Sequence, residues 1–258
     1  MAVEVPKFLV IASGSSHPDG GVGSVRFRRG AEGRPLYNGE KNASACAIGD
    51  KGTILVMSTE LPVIYLARHG ETAWSLTGQH TGVTDLPLTE RGERNARALG
   101  KRLDGLKFNR VFSSPSLRAR RTCELAGFNG ALEVDHDLME WNYGEYEGRR
   151  TSEIRAERPD WQLFRDGCPG GESPAEVGAR ADRVVSRLRA VPGNTLIFSS
   201  GHFLRVLAAR WLGLEPAGGR YFLLSTASLS ALGYEHSLCQ PVICLWDDTR
   251  HTESEVRT

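Results

Sequence analysis

From Leu61 onward the chain alternates two kinds of segment. Short β-branched and aromatic runs (VIYLA at 63–67, RVFS at 110–113, LEV at 132–134, TLIFS at 195–199) are separated by stretches whose apolar residues recur at helical spacing. Parallel strands need a crossover connection, and a helix supplies it. The alternation therefore predicts one α/β domain, a three-layer α/β/α sandwich around a mostly parallel central sheet.

The segments can be placed in order. The first strand, Val63–Ala67, runs into Arg68-His69-Gly70 and a polar loop, Glu71–Leu88. Thr89 is placed to cap a helix through Leu103, with Ala96, Leu99 and Leu103 on one face. Ser114-Pro115 reads as an N-cap and first-turn proline for a helix to Ala126. A short helix is expected over Thr151–Glu157, then a loop or lid, WQLFRDGCPGGE at 161–172. Ser173-Pro174-Ala175-Glu176 is a capping box whose helix carries Val177, Ala181, Val184, Val185 and Leu188 inward. Phe203–Leu212 is a helix ended by Gly213. Tyr221–Leu224, Leu229–Tyr234 and Pro241–Trp246 close the chain as strands.

Residues 1–56 read differently. They are rich in Gly, Ser, Asn and Lys/Arg, with apolar pieces only at Phe8–Ala12 and Thr53–Val56 that suit edge strands. Such a composition buries too little to offset ordering entropy. The expectation is a disordered or loosely attached extension over 1–56, with Met57 as a plausible start, a folded domain at 57–250 and a tail at 251–258.

Lys+Arg 32 against Asp+Glu 31 leaves a formal net charge of +1, which argues against a general nucleic-acid or membrane-surface binder. No apolar run reaches the roughly 20 residues of a membrane span. The five cysteines show neither metal spacing nor a short-domain disulfide pattern and fit free thiols in a reducing compartment, so a cytoplasmic location is expected. The absence of an aspartate cluster points to chemistry without a metal or other cofactor.

Reactive side chains gather where strands end. Arg68-His69 follows the first strand, and SSPSLR at 113–118 brings Arg118 into the first turns of a helix. Glu140-Trp141-Asn142-Tyr143-Gly144 follows the third strand, and Ser200-Gly201-His202 the fourth. In open α/β sheets, ligands collect beyond the carboxyl ends of the strands. Two arginines offer donor forks that match phosphate oxygens. A histidine nitrogen can take a phosphoryl group covalently. A carboxylic acid can protonate the leaving alkoxide and then activate water. His69 and Glu140 suit those roles.

RHGET, SSPSLRARRT and LMEWNYGEYEG resemble the signature blocks of the histidine phosphatase superfamily, the group with phosphoglycerate mutases and acid phosphatases. The resemblance spans roughly residues 61–246 and implies the phosphoglycerate mutase-like fold. TGQHTGVTDLPLT, EWNYGEYEG and WQLFRDGCPGGE are most similar to the sugar-bisphosphate phosphatase branch that includes sedoheptulose-1,7-bisphosphatase. It implies His69 as the phosphorylated histidine, Glu140 as proton donor, and Arg68 and Arg118 as phosphate clamps. It also implies Ser75, Gln79, His80, Thr81, Ser114, Tyr143, Arg205 and His236 as substrate contacts, with a small phosphorylated metabolite as substrate. The mutases carry a longer insertion before the last histidine block, so the resemblance favours a phosphatase. His136 and His251 are expected at the surface.

One position departs from the family. The fourth strand normally leads into His-Gly, and that histidine is the second imidazole of the pocket; here Ser200 precedes Gly201. His202 lies two positions on, where this branch often has a histidine. A serine donates one neutral hydrogen bond and no charge. Losing one donor to a developing anion costs ~10²–10³-fold in turnover, so a weakened phosphatase is expected.

Overall fold

The structure, a computed structural model, describes residues 61–252 and, upstream, the backbone of two short strands, β1 (Ala47–Ile48) and β2 (Ile54–Leu55). These two pair antiparallel as a separate two-stranded sheet. β2 falls inside the edge strand expected at Thr53–Val56. The piece expected at Phe8–Ala12 lies outside the described residues.

The main sheet holds six strands: β3 (Ile64–Arg68), β4 (Arg110–Ser113), β5 (Leu132–Val134), β6 (Thr195–Ser199), β7 (Leu229–Tyr234) and β8 (Pro241–Asp248). Their order is β5-β4-β6-β3-β7-β8. β5, β4, β6 and β3 run parallel, while β7 and β8 add an antiparallel edge. Among the described residues the α-helices are α1 (Ala73–Thr77), α2 (Glu90–Arg102), α3 (Leu117–Leu125), α4 (Thr151–Glu157), α5 (Leu163–Asp166), α6 (Pro174–Ala190) and α7 (Gly201–Trp211). None of the described helices is long and apolar enough to cross a membrane.

Strand alternation divides the core into two layers. On β3, Ile64 and Leu66 join the cluster containing Val177, Ala181 and Val184 of α6 and Leu204 and Leu207 of α7. Ala67, and Tyr65 beside it, join Leu99, Leu103 and Cys123 on the α2 and α3 side. On β6, Leu196 and Phe198 face α2 and α3, and Ile197 faces α6 and α7. Successive side chains point to opposite faces, so one five-residue strand supports both layers.

β3 and β6 are neighbours whose connections diverge. The chain leaving β3 travels past β6 to β4, and the chain leaving β6 travels through α7 past β3 to β7. Diverging connections open a crevice at the carboxyl ends of the two strands. Arg68 stands opposite Ser199 in the parallel register, and the His69 N–H donates to the Ser199 carbonyl at 2.9 Å.

Several local expectations need correction. The helix expected from Ser114-Pro115 starts at Leu117, with Ser116 as N-cap. The Ser114 hydroxyl instead bonds the Ser116 N–H and Oγ, both at 3.3 Å, a local turn that delays the helix. The loop 71–88 contains α1, started by a capping box between Thr72 and Ser75. Tyr221–Leu224 is no strand: residues 216–221 form a 3-10 turn, and the carbonyls of Leu223 and Leu224 accept from side chains of Trp246 and Arg68. The stretch 161–172, expected as a loop or lid, contains the short helix α5. Trp161, Leu163, Phe164 and Cys168 are buried within the α6–α7 core layer. His251 is half-buried rather than a surface residue and bonds the Ala227 carbonyl at 2.8 Å.

Candidate active site

His69 follows the last residue of β3 and is buried. Its backbone is held from three sides. Its N–H reaches β6, its carbonyl accepts from the Ala227 N–H at 3.0 Å, and the next amide, Gly70, donates to Thr122 Oγ1 of α3 at 2.9 Å. The turn after His69 has to pass against the start of α2. A Cβ at Gly92 would lie 2.3 Å from the Glu71 carbonyl oxygen, and one at Gly70 2.6 Å from the Gly92 carbonyl oxygen. Only two glycines allow these backbones to touch.

The His69 ring is a neutral imidazole with a fixed tautomer. Burial, then the positive charges of Arg118 and Arg68, push its pKa well below the ordinary histidine value, so the imidazole is neutral at pH 7. Nδ1 lies 2.7 Å from the Gly70 carbonyl oxygen, which can only accept, so Nδ1 carries the proton. Nε2 therefore keeps its lone pair.

Two buried guanidinium groups flank this ring. Arg68 donates through Nη1 to the Leu224 carbonyl and packs against Gly201, where a Cβ would come within 3.1 Å of Nε and 3.2 Å of Cζ. Arg118, 1% exposed, donates at 3.0 Å to the carbonyls of Thr81, Gly82 and Thr84. Both arginines leave a buried Nε–H with no protein partner, and the buried Ser200 hydroxyl is also unpartnered.

Glu140 sits at the amino end of α7. Its Oε1 accepts from the N–H groups of Trp141 at 2.9 Å and Phe203 at 2.8 Å, and its Oε2 from the His202 N–H at 3.0 Å. The carboxyl is thus fixed on the helix N-terminus, with an acceptor position still open on Oε2. The loop that carries it is tied to the sheet by Ser199 Oγ, which donates to the Leu138 carbonyl at 2.6 Å.

A wall of rings faces these groups. Tyr143 Oη lies 2.6 Å from His202 Nδ1, and His80 stacks on Tyr143 with ring centroids 4.7 Å apart. Burial raises the Tyr143 pKa well above 10 and lowers that of His202 well below its usual value. Burial also lowers His80 to about 4, so both histidines are neutral at pH 7. Arg205 stacks over Phe164, with Cζ 4.5 Å from the ring centroid, and donates to the carbonyls of Gly219 and Arg220.

These groups enclose one cavity of about 220 Å³. Arg68, His69, Ser75, Gln79, His80, Thr81, Glu140, Tyr143, His202 and Arg205, all singled out from the sequence, line it. Arg118, Ser114 and Ser200 do not line it. Arg118 is engaged with the carbonyls of the 81–84 loop, and its charge reaches His69. His236 is not brought to the site. It lies exposed in the turn between β7 and β8 beside Glu235, because β7 runs antiparallel to β3 and carries that turn to the opposite end of the sheet from His69. Thr151 and Leu224 line the cavity without having been foreseen. Thr151 gets there because Gln79 bridges to Arg150, a pairing with no sequence signal.

The comparisons with known proteins agree with this geometry. The family model of the histidine phosphatase superfamily (branch 1) matches residues 64–249. An acid phosphatase of Mycobacterium tuberculosis is 42% identical over 181 residues, covering 69% of this chain and 89% of that protein. Sedoheptulose 1,7-bisphosphatase of Saccharomyces cerevisiae is 36% identical over 193 residues, 61% of this chain and 70% of that protein. A solved structure, that of the open reading frame Rv3214 product of Mycobacterium tuberculosis, superposes with a TM-score of 0.69 at 39% identity, covering 72% of this chain and 97% of the other. A strand-end histidine with a free Nε2, two guanidinium groups beside it and a carboxyl in the same crevice agree with that match, and the chain belongs to the histidine phosphatase superfamily (branch 1), as a phosphomonoester hydrolase of the phosphohistidine type.

Proposed function

We propose that the chain hydrolyses a small sugar phosphate or bisphosphate, with His69 as nucleophile and Glu140 as proton donor. The observation that carries this reading is the buried Arg68 guanidinium, which lines the cavity with an unpartnered Nε–H beside the neutral His69 imidazole and the Glu140 carboxyl. A phosphoryl group in transfer spreads charge over its equatorial oxygens, and donors fixed in advance stabilise that charge without reorganising.

His69 Nε2 attacks phosphorus as the P–O bond to the leaving group breaks. The departing alkoxide takes the proton from the Glu140 carboxyl. The Glu140 carboxylate then takes a proton from a water molecule, whose oxygen attacks the phosphohistidine. The P–N bond breaks, inorganic phosphate leaves, and both residues return to their starting states.

The rest of the wall supports this substrate class. His80, Tyr143, His202, Gln79, Thr81 and Thr151 are neutral hydrogen-bonding groups suited to hydroxyls, and Arg205 adds a second cation. Sedoheptulose 1,7-bisphosphatase is a relative whose name points the same way.

The test is a panel of sugar phosphates with wild type and His69→Ala. Inorganic phosphate release and an acid-labile phosphoryl adduct are expected only with wild type. With 3-phosphoglycerate, phosphate release without 2-phosphoglycerate separates a phosphatase from a mutase. A second reading, a binding protein for phosphorylated ligands, is favoured by Ser200 alone; phosphate binding with no adduct at His69 would select it.

A further inference from the structure

We infer that Asp247, on the edge strand β8, is a positioning residue for the Arg68 guanidinium. This rests on the reading above that Arg68 holds the phosphoryl group. Asp247 carries no motif, and it lies 179 positions from Arg68 in the sequence.

The link is a short chain of contacts. Asp247 Oδ1 accepts from the Ser225 N–H at 2.6 Å and Oδ2 from Ser225 Oγ at 3.1 Å. The Ser225 amide is one peptide unit with the Leu224 carbonyl, the acceptor for Arg68 Nη1. Holding that N–H fixes the plane of the peptide, and so the direction of the oxygen that Arg68 meets. The same loop continues to Ala227, whose N–H donates to the His69 carbonyl, and Ser228, whose carbonyl accepts the Arg68 N–H at 3.2 Å. Trp246 Nε1 grips the Leu223 carbonyl at 2.6 Å from the same strand.

The backbone marks the spot independently. Among the described residues, the non-glycine residues at positive φ are Ala227, at 56°, and Asp247, at 53°. Both lie in this contact, where β8 shifts register against β7. Strained backbone persists where surrounding contacts over-determine it, and it clusters at functional sites. The bulge turns the Asp247 side chain toward the loop rather than along the strand alternation. The Asp247 charge also favours the protonated guanidinium of Arg68, against the larger effect of burial.

The experiment measures inorganic phosphate binding by calorimetry, and KM and kcat on p-nitrophenyl phosphate. Asp247→Gly keeps the positive φ available and deletes the carboxylate. It should weaken phosphate about tenfold, the low end of what losing an orienting contact behind a ligand costs, and raise KM alike. Asp247→Asn keeps an acceptor oxygen and tolerates positive φ, so it should retain affinity within about threefold. In an Arg68→Ala background, Asp247→Gly should add no further loss.

Wild-type phosphate affinity in Asp247→Gly overturns the inference, as does an equal loss in the Arg68→Ala background. If wild type binds phosphate through Arg68 but forms no adduct at His69, the phosphatase reading fails while this one stands. A wild type that binds no phosphate overturns both.

Discussion

Ser200 sets up an opposition between stability and turnover. It is the N-cap residue of α7, yet its side chain makes no cap bond, and its hydroxyl is buried without a partner. Ser200→Ala therefore loses no hydrogen bond within the protein and removes a desolvated polar group. An unsatisfied buried hydroxyl costs roughly 1–3 kcal/mol. Taking the low end, the alanine variant should be about 1 kcal/mol more stable, and its thermal midpoint should rise by about 2–4 °C for a domain of this size. If the hydroxyl is kept for the phosphoryl oxygens, the same change should lower turnover about tenfold, one neutral hydrogen bond's worth. Ser200→His places an imidazole at the same strand end and should raise turnover ~10²–10³-fold. Scanning calorimetry and steady-state rates on one phosphate ester read both effects. A less stable Ser200→Ala, or one with wild-type turnover, would show that the hydroxyl has a partner in the resting protein or no part in the reaction. Unchanged turnover in Ser200→His would refute the account of the second imidazole.

Other expectations follow from the same geometry. Acid should destabilise the fold through its buried histidines. His69, His80 and His202 all have lowered pKa values when folded, so their contribution is complete above about pH 6.5 and is lost as the pH falls, for His80 through about 4. At pH 5, His80 alone should cost about 2 kcal/mol relative to pH 8, readable by urea titration at the two values; flat stability over that range would contradict neutral buried rings. Gly92→Ala would press its Cβ onto the Glu71 carbonyl, so a loss of about 2 kcal/mol or more is expected by thermal melting, with activity falling as His69 shifts. Glu140→Gln removes the transferable proton and turns an amide N–H₂ toward backbone donors, so turnover should drop ~10²–10⁴-fold while phosphate still binds. A Glu140→Gln enzyme with wild-type rates would mean that another group protonates the leaving oxygen.

Much of the site was legible before the fold was known, because strand ends announce themselves. A β-branched run closed by Arg-His-Gly says where β3 stops, and the divergence of its connection from that of β6 follows from sheet topology. Helix starts at Thr89 and Ser173 were equally plain, the first from its capping residue alone and the second from a capping box with Glu176. The errors came where local signals competed. Ser114-Pro115 looks like a cap, but the serine satisfies the amide two residues later and the helix waits. The 161–172 stretch reads as a loop or lid, but it forms α5 and its aromatic residues enter a core layer.

Residue types, their spacing and the ends of the elements were thus set by the sequence itself: the strand-end histidine, the carboxyl of Glu140, the two arginines and the serine that stands where a histidine was expected. Tertiary structure alone decided which of them share a cavity and how each is held. It turned Arg118 onto the 81–84 loop, left His236 in solvent, brought Thr151 to the cavity and tied Asp247 to Ser225, next to the Leu224 carbonyl that Arg68 meets. The reason is that strand and helix signals act over a few residues. Burial, charge and hydrogen-bond direction depend on neighbours tens to hundreds of positions away, which meet only when the sheet is assembled.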